Sequence, residues 1–329
     1  MMANKLCEVL GMEKPIIQGP MSWVSTAPLV AAVCEAGGFG VLGTAMAAPE
    51  FIRAQMQEVK KITDKPFGFN MPLHPMLLGE DYLNAIQEII IEEKPAAIHL
   101  DAMFNIDREF AKACFARWHE AGIKVIVKIF TMADAKLVEE VGADVVIAKG
   151  WEGGGHTTAQ TTMVLVPQAA DILSIPLVAS GGIADGRGMA AAISLGADGI
   201  EMGTAFIAAE ETDIHANAKR AVIEAGDFQS IELGTCTITP CRQLRNQLLE
   251  DVLRVESENP KVEAAKLVEE MTADSMRLAM KEGDLNNGAV MAGQIVPLVK
   301  QIRPAKQIID SILEECKQVL NRNLEFNFV

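Results

Sequence analysis

The stretch VIVKIFTMADAKLVEEVGADVVIAKG, residues 125–150, decides the fold. Two apolar runs, VIVKIF at 125–130 and VVIAKG at 145–150, flank a segment, MADAKLVEEVGA, whose apolar residues recur at three and four positions. That is the periodicity of strand, helix and strand. The strand runs are nearly unbroken in apolar character, which suits a parallel sheet covered on both faces. The same unit repeats outward in both directions. Toward the N-terminus lie IIQG at 16–19, GFGVLG at 38–43, FGFNM at 67–71 and AIHLDA at 97–102; toward the C-terminus lie PLVASG at 176–181 and GIEMGT at 199–204. Helical segments such as PEFIRAQMQEVKKI and DREFAKACFARWHEAG separate them. Right-handed crossovers leave a barrel or a doubly wound sheet, and eight units of roughly 20 to 30 residues predict a (β/α)8 TIM barrel.

Beyond Thr204 the texture changes. Residues 207–288 are rich in Glu, Lys, Arg and Ala, with helical periodicity and few strand signals, so a smaller helical insertion is expected there. The barrel then comprises residues 1–206 plus 289–329, and the last amphipathic run, to about residue 320, is expected to return as its eighth helix.

The chain has 329 residues, enough for one large domain or two ordinary ones. Its 29 Lys and Arg against 44 Asp and Glu give a net charge of −15, which repels phosphate backbones and anionic lipid. No nucleic-acid or membrane partner is expected. The uncharged run from Pro15 to Cys34 is broken by Gln18, Gly19, Pro20, Ser22, Ser25, Thr26 and Pro28, which disqualifies it as a membrane span. The first dozen residues lack the uninterrupted apolar segment of a signal peptide, and a cytoplasmic location is expected. Six scattered cysteines without a CxxC pair read as reduced thiols. Cys236 and Cys241 bracket CTITPC; they read as two loop thiols, with a disulfide or a partial metal site as the alternatives, and no metal is expected.

In such barrels the functional groups lie at the C-terminal ends of the strands, and phosphate often binds at the loops after strands seven and eight. Those loops read ASGGIADGRG, with Gly181 and Gly182, and MGTAF, with Gly203 and Thr204; glycine there lets the backbone approach an anion. The plainer alternative is two ordinary glycine turns. The loop after strand six, KGWEGGGHTT, removes three side chains at 153–155 beside His156, leaving room for a flat ring and an imidazole able to donate, accept or move a proton. His99, inside strand four, is assigned to packing. His74 falls in a Pro-rich loop, His119 on an exposed helix end and His215 in the insertion. Asp101 shares the face of His99 by strand alternation and approaches the barrel mouth as a base, a cation-binding group or a carboxylate held by its neighbours. Gly38, Gly40 and Gly43 fit GxGxxG, but a helix precedes them and they fall on strand two, so a dinucleotide fingerprint is set aside. No GxxxxGK[ST], HExxH or GxSxG motif occurs.

QGPM at 18–21, GFN at 68–70, GWEGGGH followed by TTMVLVPQ, then ASGGIADGRG, MGT and GAVMAGQI resemble the FMN-dependent nitronate monooxygenase and enoyl-acyl-carrier-protein reductase II superfamily. The resemblance spans nearly the whole chain. It implies an FMN-containing barrel with a smaller inserted domain over the mouth, and a homodimer. It places Gly19, Met21, Asn70, Lys149, Gly154, Gly155, Gly181, Gly182, Met202, Gly203 and Thr204 around FMN, and His156 as the catalytic histidine. Asp101 and Gln294 fall on the substrate side. The C-terminal stretch LAMKEGDLNNGAVMAGQIVPLVKQIRPAKQIID is more similar to the enoyl reductases. That implies reduction of 2-enoyl thioesters in fatty acid biosynthesis, with NADH or NADPH as hydride donor and acyl carrier protein as a candidate partner. The alternatives are a nitronate monooxygenase (2-nitropropane dioxygenase-like), oxidising alkyl nitronates with FMN and O₂, and a non-catalytic flavin-binding protein. The chain departs from the family pattern in four places: at Thr157 and Thr158, at Ala205 where arginine is usual, at Lys149 where glutamate or glutamine is usual, and at the Asp101-bearing HLDAMFN. These point to an altered substrate or hydride donor.

Overall fold

A computed structural model describes residues 4–44, 46–72, 79–102 and 106–324. Eight strands close a barrel: β1 (Ile16–Gln18), β2 (Phe39–Leu42), β3 (Gly68–Asn70), β4 (Ala97–Asp101), β5 (Lys124–Ile129), β6 (Val145–Lys149), β8 (Leu177–Ser180) and β9 (Gly199–Met202). Every neighbour pair is parallel, and β9 returns to pair with β1. This is the (β/α)8 barrel that the eight apolar runs predict. GFGVLG forms β2 itself, in keeping with the rejection of a dinucleotide loop.

Helix starts between the strands are fixed locally. Asp107 accepts from the Phe110 amide, Thr131 from Asp134 and Asp185 from Arg187 and Gly188, each capping donors that the first helical turn leaves free. Helix Ala305–Leu324 packs as the eighth barrel helix against Gly186–Ser194. Gly186 permits that contact, because a Cβ there would lie 2.3 Å from the Cys316 amide nitrogen. Among the described residues no helix is long and apolar enough to cross a membrane.

The barrel interior is layered. Strand alternation sends Ala97, Ile126, Val145, Ile147 and Val178 inward, and Leu6 and Leu10 of helix Lys5–Leu10 complete this apolar lower layer. Further along the same strands the inward sequence continues as His99 and Asp101, Lys128, Lys149, Ser180 and Glu201. A greasy plug therefore carries a charged layer directly beneath the C-terminal mouth.

The segment expected as a helical insertion also holds two strands, β10 (Ser230–Leu233) and β11 (Cys241–Leu244). They pair antiparallel, and β11 pairs further with β7 (Gly155–His156), the end of the glycine loop after β6. Their sequences, SIEL and CRQL, alternate too briefly and carry too much charge to stand out between helices. Helices Gln247–Glu258 and Lys261–Thr272 cover this sheet through Leu248, Leu249, Val252 and Val268.

Candidate active site

A cleft opens at the C-terminal end of the barrel, between the strand ends and the segment 276–295. Its floor is largely backbone. Gly19 and Met21 follow β1, Gly154 and Gly155 follow β6, Gly181 and Gly182 follow β8, and Met202, Gly203 and Thr204 end β9; all line the cleft. Gly181 and Gly182 adopt φ of 91° and 73°, a left-handed pair open to glycine and costly to residues with a Cβ. Gly154 lies against the returning chain so closely that a Cβ would sit 2.7 Å from the Ala292 carbonyl carbon. That chain is tied down by Gly293 N–H donating to Thr204 Oγ1 at 2.9 Å and Gln294 N–H donating to the Glu152 carbonyl at 2.9 Å.

Between these loops the charged layer reaches the cleft itself, which Asp101, Lys128, Lys149, Ser180 and Glu201 also line. Glu201 accepts from Ser180 Oγ at 2.8 Å, contacts His99 Nε2 at 2.9 Å and pairs with Lys128 Nζ at 3.0 Å. Lys128 also approaches Asp101 at 3.5 Å, and Asn70 Nδ2 donates to Asp101 Oδ2 at 3.4 Å. Desolvation opposes ionisation of Glu201, yet the Lys128 ammonium and His99 hold its carboxyl far below the usual carboxylate range. Asp101 is held low against the same desolvation by Lys128, His99 and Lys149. His99 is buried, as its packing assignment requires, but it also belongs to this polar network.

The glycine loop is anchored from both sides. Lys149 Nζ donates to the Gly154 carbonyl at 2.8 Å and to the His156 carbonyl at 2.7 Å. From the insertion, Arg242 stacks 4.4 Å from the Trp151 ring centroid and its Nε donates to the Trp151 carbonyl at 3.2 Å. Glu152 accepts from the Thr162 amide and hydroxyl. The His156 side chain opens into the cleft, where desolvation and the nearby Lys149 push its imidazole down to about 4. It is neutral at pH 7, with one ring nitrogen to donate and one to accept.

Three placements differ from the sequence expectations. Gln294 is exposed and does not line the cleft, whose wall there is Gly293 and Ile295. Asn70 meets Asp101 and His99 within the charged layer and does not line the cleft. Cys241 is not a loop thiol: it lies on β11 opposite His156 and lines the cleft, and burial raises it to about 11. Thr157 donates its hydroxyl to Glu232 and its backbone N–H to the Pro240 carbonyl, away from the cleft, while Ala205 is buried at the start of a short helix. His74 and residues 103–105 of HLDAMFN lie outside the described residues.

Lys128, Glu201, Ser180 and the methionines of the upper wall, Met276, Met280 and Met291, also line the cleft, though no motif in the sequence marks them. Lone charges inside VIVKIF and GIEM were the available signal, because a charge in a buried barrel strand must find a partner. Six free thiols are present, and among the described residues no group of three or more His, Cys, Asp or Glu side chains is placed to hold a metal ion.

The glycine floor fits FMN. Two consecutive left-handed glycines after β8 and the Gly203–Thr204 turn after β9 bring backbone where this barrel class holds a phosphate, and the triple-glycine loop leaves space for a flat ring beside His156. Fold and site together define a TIM-barrel flavoenzyme. The sequence pattern of the nitronate monooxygenase family matches residues 3–315, and the chain belongs to that family; it is an FMN-dependent oxidoreductase. It is 32% identical to a nitronate monooxygenase of Pseudomonas aeruginosa, an alignment covering 96% of this chain and 100% of that one. It is 36% identical to a bicyclic carboxyl-CoA dehydrogenase of Mycobacterium tuberculosis over 74% of this chain and 67% of the other. Among solved structures, FabK from Thermotoga maritima superposes with a TM-score of 0.90 at 37% identity, covering 99% and 100% of the two chains. Nitroalkane oxidase from Streptomyces ansochromogenes gives 0.81 at 27% identity, covering 97% and 99%.

Proposed function

We propose that the protein reduces 2-enoyl thioesters, taking its hydride from NADH or NADPH and accepting the acyl group on a carrier such as acyl carrier protein. The observation that carries this reading is the upper wall of the cleft, where Met276, Met280 and Met291 join Ile207 and Ile295 above the polar floor. Thioether side chains are flexible and apolar and adapt to an extended acyl chain; a small anionic nitronate has no use for such a wall. The similarity to FabK, an enoyl-acyl-carrier-protein reductase II, and to a dehydrogenase named for a CoA thioester supports the same class.

Bound FMN supplies hydride transfer to the enoyl β-carbon. The chain does the rest. The glycine loops position the ring and phosphate, and the methionine wall excludes water from the acyl chain. His156 offers a neutral N–H to the thioester oxygen as negative charge develops there. A proton from solvent, added at the α-carbon, balances the hydride at the β-carbon and completes the reduction.

A second reading, nitronate oxidation, is favoured by the family match and by the neutral His156, whose free ring nitrogen can take a proton from a nitroalkane carbon acid. One experiment separates the two. The purified protein is followed anaerobically by its flavin absorbance while NADH or NADPH is added, and then a 2-enoyl-CoA. Bleaching by the nicotinamide and recovery with the enoyl thioester is the expected result. A flavin that stays oxidised with either nicotinamide, joined to stoichiometric O₂ uptake with a nitronate, replaces the proposal with the second reading.

A further inference from the structure

A lysine buried at the end of a barrel strand needs partners for its ammonium. Lys149 ends β6 inside the barrel and is 9% exposed. Two of its three N–H donors are spent on carbonyls five and seven residues ahead, those of Gly154 and His156. The loop is built around it: a Cβ on Gly153 would lie 2.6 Å from Lys149 Cε. The missing side chain at 153 thus provides the channel through which the lysine reaches the loop it came from.

We propose that Lys149 is a positioning residue for His156: from the end of β6 its ammonium straps the carbonyls of Gly154 and His156, fixing the glycine loop and keeping a positive charge beside the imidazole. The strap replaces a regular ladder where none is available. β7 has only two residues, pairs with β11 alone and contains the left-handed Gly155, at φ 73°. Other anchors hold the two ends of the loop, with Arg242 and Gln160 at Trp151, Thr162 and Gln294 at Glu152, and β11 with the Pro240 carbonyl at His156 and Thr157; only the strap ties Gly154 to His156.

The charged and titratable groups around His156 are Lys149 on β6, Asp101 on β4, Lys128 on β5 and Cys241 on β11, with Glu152 in its own loop and Glu232 of β10 held through Thr157. Lys128 is neutralised by Glu201 and Asp101, so Lys149 is the cation whose field His156 feels most. Lys149 is itself pushed down to about 8 by desolvation and Lys128, yet it still carries its proton at pH 7. Desolvation of the ring and the charge of Lys149 act on His156 in the same direction, both favouring the neutral ring.

The inference rests on His156 being the working group of the cleft but not on which substrate it serves, so its test uses no substrate. The five histidine ring resonances of the FMN-loaded protein are titrated by NMR, with His156→Ala assigning the signal, and amide hydrogen exchange is followed across residues 150–158. In Lys149→Met, which keeps length and removes charge and donors, the His156 midpoint is expected to rise from about 4 toward its ordinary value near ~6.5. Exchange in the loop is expected to quicken by about tenfold or more. Lys149→Arg, which restores charge and donors, is expected to return both toward the parent. A Lys149→Met protein in which neither changes overturns the proposal, as does a Lys149→Arg protein that shifts equally far. Should Lys149→Met not fold, Lys149→Gln, polar but uncharged, gives the same comparison. Flavin content is read separately, so loss of FMN from every protein counts against the cofactor reading and leaves the strap to the titration.

Discussion

The cleft has two sides made of different material. Its floor is backbone and buried charge: glycines from four strand ends over a layer in which Glu201, Lys128, His99 and Asp101 lock one another in place. Its upper wall is side chain, three methionines and two isoleucines from the short helix after β9, from the last turns of the insertion and from the chain that returns to the barrel. Floor geometry is set by φ angles and paired charges that tolerate few substitutions. Wall geometry is set by rotamers that change readily. The contrast assigns constant chemistry to the floor and choice of substrate to the wall, so substitutions should grade in effect from the first to the second.

The largest effect is expected where the two sides meet the reacting atoms. His156→Ala should leave flavin content unchanged and slow turnover by about 10² to 10⁴-fold, as removal of a proton-handling or enolate-stabilising group does. Steady-state kinetics with flavin content measured alongside checks this, and unchanged turnover removes His156 from the mechanism.

Next comes the charged layer. Glu201→Gln leaves Lys128 with only the longer contact to Asp101, and breaking a buried pair from one side costs about 3 kcal/mol. Denaturant unfolding at pH 7 measures it. The acid dependence has a definite sign: the folded Glu201 carboxyl lies below its unfolded value near ~4.3, so the unfolded chain takes up the proton first. The stabilisation is complete above that value and is lost as pH falls below it, and Glu201→Gln should flatten the acid limb of the stability profile. An unaltered acid limb would show that the pair contributes nothing net.

The same contrast explains what could be read from the sequence. Barrel strands such as VVIAKG and PLVASG are legible because burial on both faces leaves a continuous apolar run, and the glycine loops because missing side chains are visible in one dimension. The charged layer is a set of non-local meetings: His99 and Glu201 are 102 residues apart, and neither alone announces the other. β10 and β11 are not legible because Glu232, Arg242 and Gln243 interrupt any apolar alternation, and the pairing of β11 with β7 joins segments some 85 residues apart. Cys241 therefore reads as a loop thiol in the sequence, whereas the strand places it beside His156.

Within the floor, Gly182→Val tests backbone against side chain. A β-branched residue is disfavoured at φ 73°, and its added carbons face both Glu152, 3.4 Å from the Cβ position, and the space proposed for the phosphate. A free loop that relaxes to relieve roughly 1–2 kcal/mol of strain must be strained again on binding, which weakens FMN by about tenfold, read as flavin released on dilution or gel filtration. A variant that keeps its full flavin moves the phosphate elsewhere.

The smallest effect is expected at the wall. Met291 is partly buried, belongs to the apolar cluster of the insertion and also lines the cleft. Met291→Ala removes about three heavy atoms of apolar contact from any bound acyl chain, worth roughly 1 kcal/mol, or about fivefold in kcat/KM. The loss should fall on long enoyl thioesters and spare short ones, with flavin content and the His156 titration untouched, because nothing in the floor depends on that side chain. An equal loss for every chain length would mean that Met291 acts through the fold; an effect confined to a nitronate substrate would turn the wall from an acyl site into part of the second reading.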